Sequence, residues 1–449
     1  MNRIFRRSKW LYAIGGIFIV ALTVLFFTFL VNAKTWVSQP YNKHLVSSAG
    51  TIYDRNGDVL VTSKDGQREY NNSASVRKAT LHVVGDPEGY ISTGAQTVFR
   101  SQLTGYSLLS GLYRSKDEDK NAANYNITLT VDGQLSSTAY QAMGNYRGTI
   151  GVYNYKTGEI LCAVSVPTYD PLHKPDDIDS GSDAYKAIYM NRFFSGTYTP
   201  GSTFKIITSA CALENVQGIE DMHFHCPGYF KTRDGQKVTC NGTHGNVSFE
   251  RGLNRSCNTE FAYIACNLLT NDQMNATAKE FGFNKTVEVN GFKCAKSTFD
   301  LTDCYGIERA WAGIGQFETM VNPCHECTIL GAIANETGTT PSPTMLYGKS
   351  EGTISYCSSM TARKLNKLLR SNVENYYGER RFPNLKMCGK TGTAEVSNGR
   401  PHTWFAGYSQ REDLPLCIVV VLENSGDYGI NTCTPIANKV MQKALELYT

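Results

Sequence analysis

An uncharged run from Trp10 to Val31, WLYAIGGIFIVALTVLFFTFLV, constrains this chain more than any other stretch. As an α-helix it is about as long as a bilayer core is thick. It has no polar face on which a soluble helix could meet water, so it cannot share the fold of the residues beyond Val31. Arg3, Arg6, Arg7 and Lys9 precede it. The positive-inside rule then leaves the N-terminus in the cytoplasm and the rest of the chain outside. The alternative is a cleaved signal peptide, because Val31-Asn32-Ala33 resembles a small-residue cleavage site. The run is longer than a usual signal core, which favours a retained anchor. The expected layout begins with a cytoplasmic tail at 1–9 and a membrane anchor at 10–32.

At 449 residues the chain needs more than one folded unit, and its net charge of +4 gives no reason to expect a nucleic-acid partner. Ser47–Ser63 reads as two short strands joined at Asn56-Gly57. From Lys64 to about Asn126 the chain is polar and reads as irregular, with a charge run at Lys116–Lys120. A strand and a helix come next, within Asn126–Met143, and 33–146 is expected to be an N-terminal pedestal. The texture changes at Arg147. There RGTIGVYNYKTGEILCAVSVP reads as a hairpin. Helical stretches run from Ser202 into the 330s, and an amphipathic helix lies within Thr361–Tyr377. Three strands and a last helix complete the chain. Two strands, a helical block, three strands and a helix suggest an α+β domain over 147–449, with an antiparallel sheet flanked by helices.

Pro200-Gly201 should end a loop, so that Ser202 opens a helix. Ser202 and Lys205 then share one face, and the amine can reach the hydroxyl. Phe204, Ile206, Ile207 and Ala210 make the surroundings apolar. Burial there favours neutral lysine, a competent base for activating a serine. Ser-x-x-Lys alone is a weak pattern, and Ser75–Lys78 repeats it in a polar region. Two further signals come after it in order. Ser256-x-Asn258 occurs once in the chain, and Lys390-Thr391-Gly392-Thr393 lies on a predicted strand. A glycine inside that strand suggests close approach of another backbone or a ligand. Lys156-Thr157-Gly158 copies the third signal, but at a hairpin tip where turn geometry explains it.

The ordered trio is the signature of penicillin-binding proteins and serine β-lactamases. The chain resembles a class B penicillin-binding protein, a peptidoglycan D,D-transpeptidase. The likeness extends to GTIYDRNGDVLVTS, GVYNYKTGEILCAVSVPTYDP, AGIGQFETMVNPCHECTILGAIAN and TWFAGYSQ. It is dense from about Gly148 onward and patchy over Lys64–Asn126. The resemblance implies a penicillin-binding, β-lactamase-like fold behind a small β-rich pedestal. It implies that Ser202 is the nucleophile, Lys205 its base, Ser256 a proton relay to the leaving D-alanine, and Asn258 a binder of the substrate amide. Lys390 would supply positive potential, Thr391 and Thr393 would hold the terminal carboxylate around Gly392, and the N–H groups of Ser202 and Thr393 would form the oxyanion hole. It implies stem-peptide substrates, covalent inhibition by β-lactams, a membrane glycosyltransferase partner of the SEDS family, and neither cofactor nor catalytic metal.

Two rivals share parts of this pattern. A serine β-lactamase needs a second base, and Glu318 with Asn322 has a suitable spacing, inside a segment that resembles the transpeptidases. A non-enzymatic antibiotic sensor would need several membrane spans and a cytoplasmic domain. His223, His225, Cys226, Cys240 and His244 cluster in sequence. Their spacing fits no standard zinc module, and the related region of the family often carries two cysteines. A Cys226–Cys240 disulfide is therefore the first expectation, free thiols the second and zinc the third. Cys324 and Cys327 are expected on a helix, as core packing.

Overall fold

The computed structural model describes residues 2–37, 49–104, 106–107, 112–113, 125–349, 352–397 and 399–449. Helix α1 (Asn2–Val37) carries the apolar run and is long and apolar enough to cross a membrane. Every side chain from Lys9 to Phe29 is exposed, as no soluble core helix would be. Ser47 and Ser48 of the expected first strand, and the Lys116–Lys120 charge run, lie outside the described residues.

The pedestal is built on a small sheet of β1 (Ile52–Tyr53), β2 (Val59–Lys64), β3 (Gln67–Tyr70) and β4 (Ile127–Thr128), in the order β3-β2-β1-β4. The Asn56-Gly57 turn joins β1 to β2 as expected, with Asp54 Oδ1 accepting from the N–H groups of Asn56 and Asp58. The stretch after Lys64 is more regular than its polarity suggests. It holds β3 and helix α2 (Ala74–Val84), capped by Ser73, whose side chain accepts from the Val76 N–H. Arg77, Thr80 and His82 are buried on α2. Buried polar residues erase the apolar stripe by which a helix is recognised in sequence. Helix α3 (Gly133–Met143), capped by Asp132, packs against α2.

The larger unit is an antiparallel sheet of β5 (Arg147–Asn154), β6 (Ile160–Val166), β7 (Met387–Ala394), β8 (His402–Ser409) and β9 (Leu416–Glu423), in the order β7-β8-β9-β5-β6. Period-2 alternation sends the β9 side chains to two separate cores. Cys417, Val419 and Val421 join one core with Ile329, Leu330 and Ile333. Ile418, Val420 and Leu422 join the other with Ile436, Val440 and Met441. The helices that cover the two faces are α6 (Pro323–Ala334) and α8 (Gly429–Tyr448), so the expected α+β sandwich is observed. Cys324 and Cys327 are buried on α6. Helix α7 (Ser359–Asn372) packs against the edge strand β7, helix α4 (Lys205–Asn215) packs against α7, and helix α5 (Asn258–Tyr263) lies between α4 and α7 along the chain. Between α4 and α5 the expected helical block is interrupted by two small hairpins, His223–Cys226 with Gly245–Ser248 and Tyr229–Lys231 with Lys237–Thr239.

A buried ion pair joins the two units. Arg77 on α2 donates from Nε and Nη2 to the two carboxylate oxygens of Asp170, at 2.7 and 2.6 Å. The Arg77 hydrogen bonds hold the Asp170 carboxyl below its usual range. Removing one partner would strand a buried charge, so Arg77→Ala is expected to destabilise the chain by about 3 kcal/mol, read as a lower thermal midpoint in detergent. Because the folded pKa is depressed, this contribution is complete above the ordinary aspartate value near ~4. It should vanish as pH falls through the lower folded value, where the Ala variant and the parent converge.

Candidate active site

Ser202 occupies a single 3-10 turn, Gly201–Thr203, directly before α4, so the expected helix starts one turn later than Ser202 itself. The turn is pressed against β7. A Cβ at Gly392 would lie 2.5 Å from the Pro200 carbonyl oxygen, and one at Gly201, where φ is +54°, would lie 2.6 Å from that of Thr393. Only glycine allows two backbones this close. The glycine read inside the β7 strand is therefore what lets the nucleophile turn meet the sheet edge.

Lys205 and Lys390 are both fully buried. The Lys205 amine lies 3.1 Å from Ser202 Oγ and 3.3 Å from Ser256 Oγ. Its shortest contacts are to the Ser256 carbonyl, at 2.7 Å, and to Asn258 Oδ1, at 2.8 Å. Asn258 donates from Nδ2 to the Thr239 carbonyl at 3.0 Å, which fixes its amide so that Oδ1 faces the lysine. Ser256 has a φ of +56°, uncommon for a non-glycine residue. This backbone turn presents both the carbonyl and the hydroxyl of Ser256 to Lys205. Lys390 reaches the same hydroxyl from β7, at 3.1 Å, and donates to the Thr391 carbonyl at 3.2 Å. Ser256 Oγ thus lies between two lysines.

Burial pushes the Lys205 amine down to about 8, against the raising influence of Cys257, Cys240 and Glu260. Burial first, then the Lys205 charge, push Lys390 well below the ordinary lysine value. Two ammonium groups on one hydroxyl would repel each other, so the site favours at least one neutral amine.

Ser202, Asn258, Thr391 and Thr393 line one cavity of about 520 Å³. The Thr391 N–H donates to the Tyr377 hydroxyl at 3.0 Å, away from β8. That N–H points off the sheet edge, and by the two-residue period so does that of Thr393. The structure thus gathers Ser202, Lys205, Ser256, Asn258, Lys390, Thr391, Gly392 and Thr393 in one place. It leaves both decoys outside. Ser75 pairs with Ser137 at 2.7 Å on the pedestal, and Lys156-Thr157 sits in a hairpin turn closed by Asn154 Oδ1. Glu318 is exposed and does not line the cavity.

The contacts of several lining residues gave no signal in the sequence, though Gln316 itself lies in the AGIGQFETMV segment that carries part of the likeness. Tyr377 holds Thr391, Thr239 orients Asn258, and Gln316 pairs its amide with the backbone of Glu395, accepting from its N–H at 2.9 Å. All three act through backbone groups, which no side-chain motif records.

The cysteine cluster departs from expectation. None of the 14 cysteines is in a disulfide, so Cys226 and Cys240 stand as thiols. The small hairpins bring Cys226, Cys240, His244 and Cys257 together with all four ligand atoms within 4.8 Å of one another. Three thiols and one imidazole are the donor chemistry of a closed zinc site, and these are the residues of this chain that could hold a metal. Cys257 is the middle residue of the second motif, and the Asn258 N–H donates to Cys240 Sγ at 3.3 Å.

The family model "Penicillin binding protein transpeptidase domain" matches residues 148–442. The chain is 27% identical to peptidoglycan D,D-transpeptidase PbpA of Mycolicibacterium smegmatis, over 91% of this chain and 93% of that protein. A transpeptidase-domain structure from Eggerthella lenta superposes with a TM-score of 0.73 at 25% identity, covering 89% of this chain and 98% of that one. Penicillin-binding protein A of M. tuberculosis, solved as an imipenem acyl-enzyme complex, superposes with a TM-score of 0.75 at 24% identity, covering 89% and 99%. With the family model covering well over half of its length and the three motifs meeting at one serine, this chain belongs to the penicillin-binding protein transpeptidase family, as a class B member.

Proposed function

We propose that this protein is a peptidoglycan D,D-transpeptidase that cross-links stem peptides through an ester on Ser202. The observation that carries the reading is the hydrogen-bond geometry of Lys205. A neutral amine has two N–H donors and one lone pair. The two shortest contacts are to oxygens that can only accept, the Ser256 carbonyl and Asn258 Oδ1. They use both donors and leave the lone pair for the Ser202 hydroxyl.

In this reading Ser202 Oγ attacks the carbonyl carbon of the penultimate D-alanine while Lys205 takes the hydroxyl proton. The proton passes through Ser256 Oγ to the nitrogen of the terminal D-alanine, whose C–N bond breaks. The N–H groups of Ser202 and Thr393 stabilise the oxyanion. Thr391 and Thr393, beside Lys390, hold the terminal carboxylate. An amine of a second stem peptide then attacks the ester, and Ser202 regains its proton by the same route. β-Lactams occupy the donor position and acylate Ser202. The apolar helix fits a retained single-pass anchor with the catalytic unit outside the membrane. There the enzyme works on strands made by a membrane glycosyltransferase, for which a SEDS protein is the partner the family suggests.

A labelled penicillin is expected to add one acyl group to the peptide containing Ser202, seen by mass spectrometry, and Ser202→Ala should take up none. Label that persists in Ser202→Ala would refute the assignment.

Acylation should depend on pH through Lys205. The reactive amine is neutral, so the acylation rate is expected to climb as pH rises through about 8 and to fall about tenfold for each unit below it. Lys205→Arg, which stays charged, should lose about 100-fold or more.

The ester should outlast water, because the candidate second base, Glu318, lies outside the cavity. Nitrocefin turnover is expected to stay far below the ~10 s⁻¹ of an ordinary enzyme, with or without Glu318→Gln. Rapid turnover lost in Glu318→Gln would identify a β-lactamase instead.

A further inference from the structure

A second hollow opens off the catalytic cavity. It has a volume of about 420 Å³, and the two share the walls Asn254, Arg255 and Tyr376. It leaves on a defined side. Arg255 directly precedes Ser256, whose hydroxyl meets Lys390, and Tyr376 directly precedes Tyr377, whose hydroxyl holds Thr391. Asn258, Thr239 and Glu395 lie along the main cavity instead. If the function proposed above holds, the donor stem peptide occupies the Asn258 side. The hollow is then on the side where the terminal D-alanine departs and the acceptor amine arrives.

The hollow has unmatched polar groups of two kinds. Arg255 is half-buried, and its guanidinium has no hydrogen bond or ion pair among the described residues. Glu250, the carboxylate on the hollow's wall, accepts from the Ser371 hydroxyl and forms no ion pair with Arg255, and neither does Glu395 of the main cavity. A guanidinium so placed lacks the anion that would complete it. Asn254 is 7% exposed and donates from Nδ2 to Ser371 Oγ at 3.0 Å, but its Oδ1 is buried with no partner. A buried acceptor without a donor costs free energy unless something supplies an N–H. Tyr376 adds a ring that is 49% exposed. One ligand meets all three conditions: a peptide with a free carboxylate and an amide N–H, held against an aromatic face.

We infer that this hollow is the acceptor subsite, in which Arg255 binds a free carboxylate of the acceptor stem peptide and Asn254 Oδ1 receives one of its peptide N–H groups. Held there, the acceptor amine faces the Ser202 ester carbonyl from the Lys390 side. Its nitrogen forms the new C–N bond as the bond from the carbonyl carbon to Ser202 Oγ breaks. The amine proton passes through Ser256 and Lys205 to Ser202 Oγ. Arg255 is a specificity residue: it selects acceptors whose carboxylates are free over acceptors whose carboxylates are amidated.

The test uses the full chain in detergent, a D-alanyl thioester donor and two otherwise identical stem-peptide acceptors, one with its carboxylates free and one with them amidated. The readout is the ratio of transfer to the two acceptors on a single preparation, which does not depend on the folded fraction. The parent is expected to prefer the free acid by about tenfold, expressed in the acceptor KM and not in kcat. Arg255→Gln should bring the ratio to about one and Arg255→Glu should invert it, while Arg255→Lys should keep most of the preference. A parent ratio of one or less, or a ratio unchanged in Arg255→Gln while transfer continues, would overturn the inference alone. Failure of the parent to form the penicillin ester at Ser202, or hydrolysis with no transfer to either acceptor, would instead bring down the transpeptidase reading on which it rests.

Discussion

Everything at this site depends on one lysine amine held out of water where three distant segments meet. Burying an ammonium is costly unless its hydrogen bonds are replaced. Here they are replaced by the Ser256 carbonyl and Asn258 Oδ1, at 2.7 and 2.8 Å. Those two acceptors come from the second motif, while the amine and the serine it serves come from the first. The third motif places a second buried lysine 3.1 Å from the shared Ser256 hydroxyl. A charge on either lysine raises the cost of a charge on the other. Burial and mutual repulsion thus favour a neutral base, and base chemistry comes out of packing.

The rest of the fold holds that arrangement in place. The five-stranded sheet is buried on both faces, and β7 has one side left to receive the Ser202 turn. The close approach permitted by Gly201 and Gly392 sets how far Ser202 stands from the Thr391–Thr393 edge. On the other flank, the left-handed backbone at Ser256 is a strained conformation that the surroundings must enforce. The thiol and imidazole cluster lies directly behind it, and one of its members, Cys257, is the next residue. Through the Asn258 N–H, which donates to Cys240 Sγ, the cluster ties the backbone at Asn258 to the two small hairpins.

The strands of the large sheet were legible because a buried antiparallel sheet alternates or runs apolar, and β5, β6, β8 and β9 do so plainly. The assembly of the eight motif residues was legible because three short, characteristic runs of side chains occur in the order the family resemblance implies. Helix α2 was not, because its buried face carries Arg77, Thr80 and His82 and shows no stripe. The hairpins between α4 and α5 were missed because strands of three or four residues are too short to show a period. Cys226 and Cys240, expected first as a disulfide, are free thiols in the fold. His244 was part of that cluster in the sequence, and Cys257 joins it only through tertiary contacts. Arg255 and Asn254 carry no sequence signal at all, since what distinguishes them is a guanidinium and an amide oxygen with no partner among the described residues.

The central claim is that Lys205 serves as a neutral base, and it is tested most directly by changing the basicity of that one amine. γ-Thialysine at position 205 keeps the length and hydrogen bonds of lysine but lowers the amine's intrinsic basicity. The pH dependence of Ser202 acylation by a labelled penicillin would be measured for both forms. The account predicts that the apparent pKa, expected at about 8 for the parent, shifts downward with the thialysine amine. A profile that keeps its midpoint would show that another group takes the serine proton, and would contradict the account.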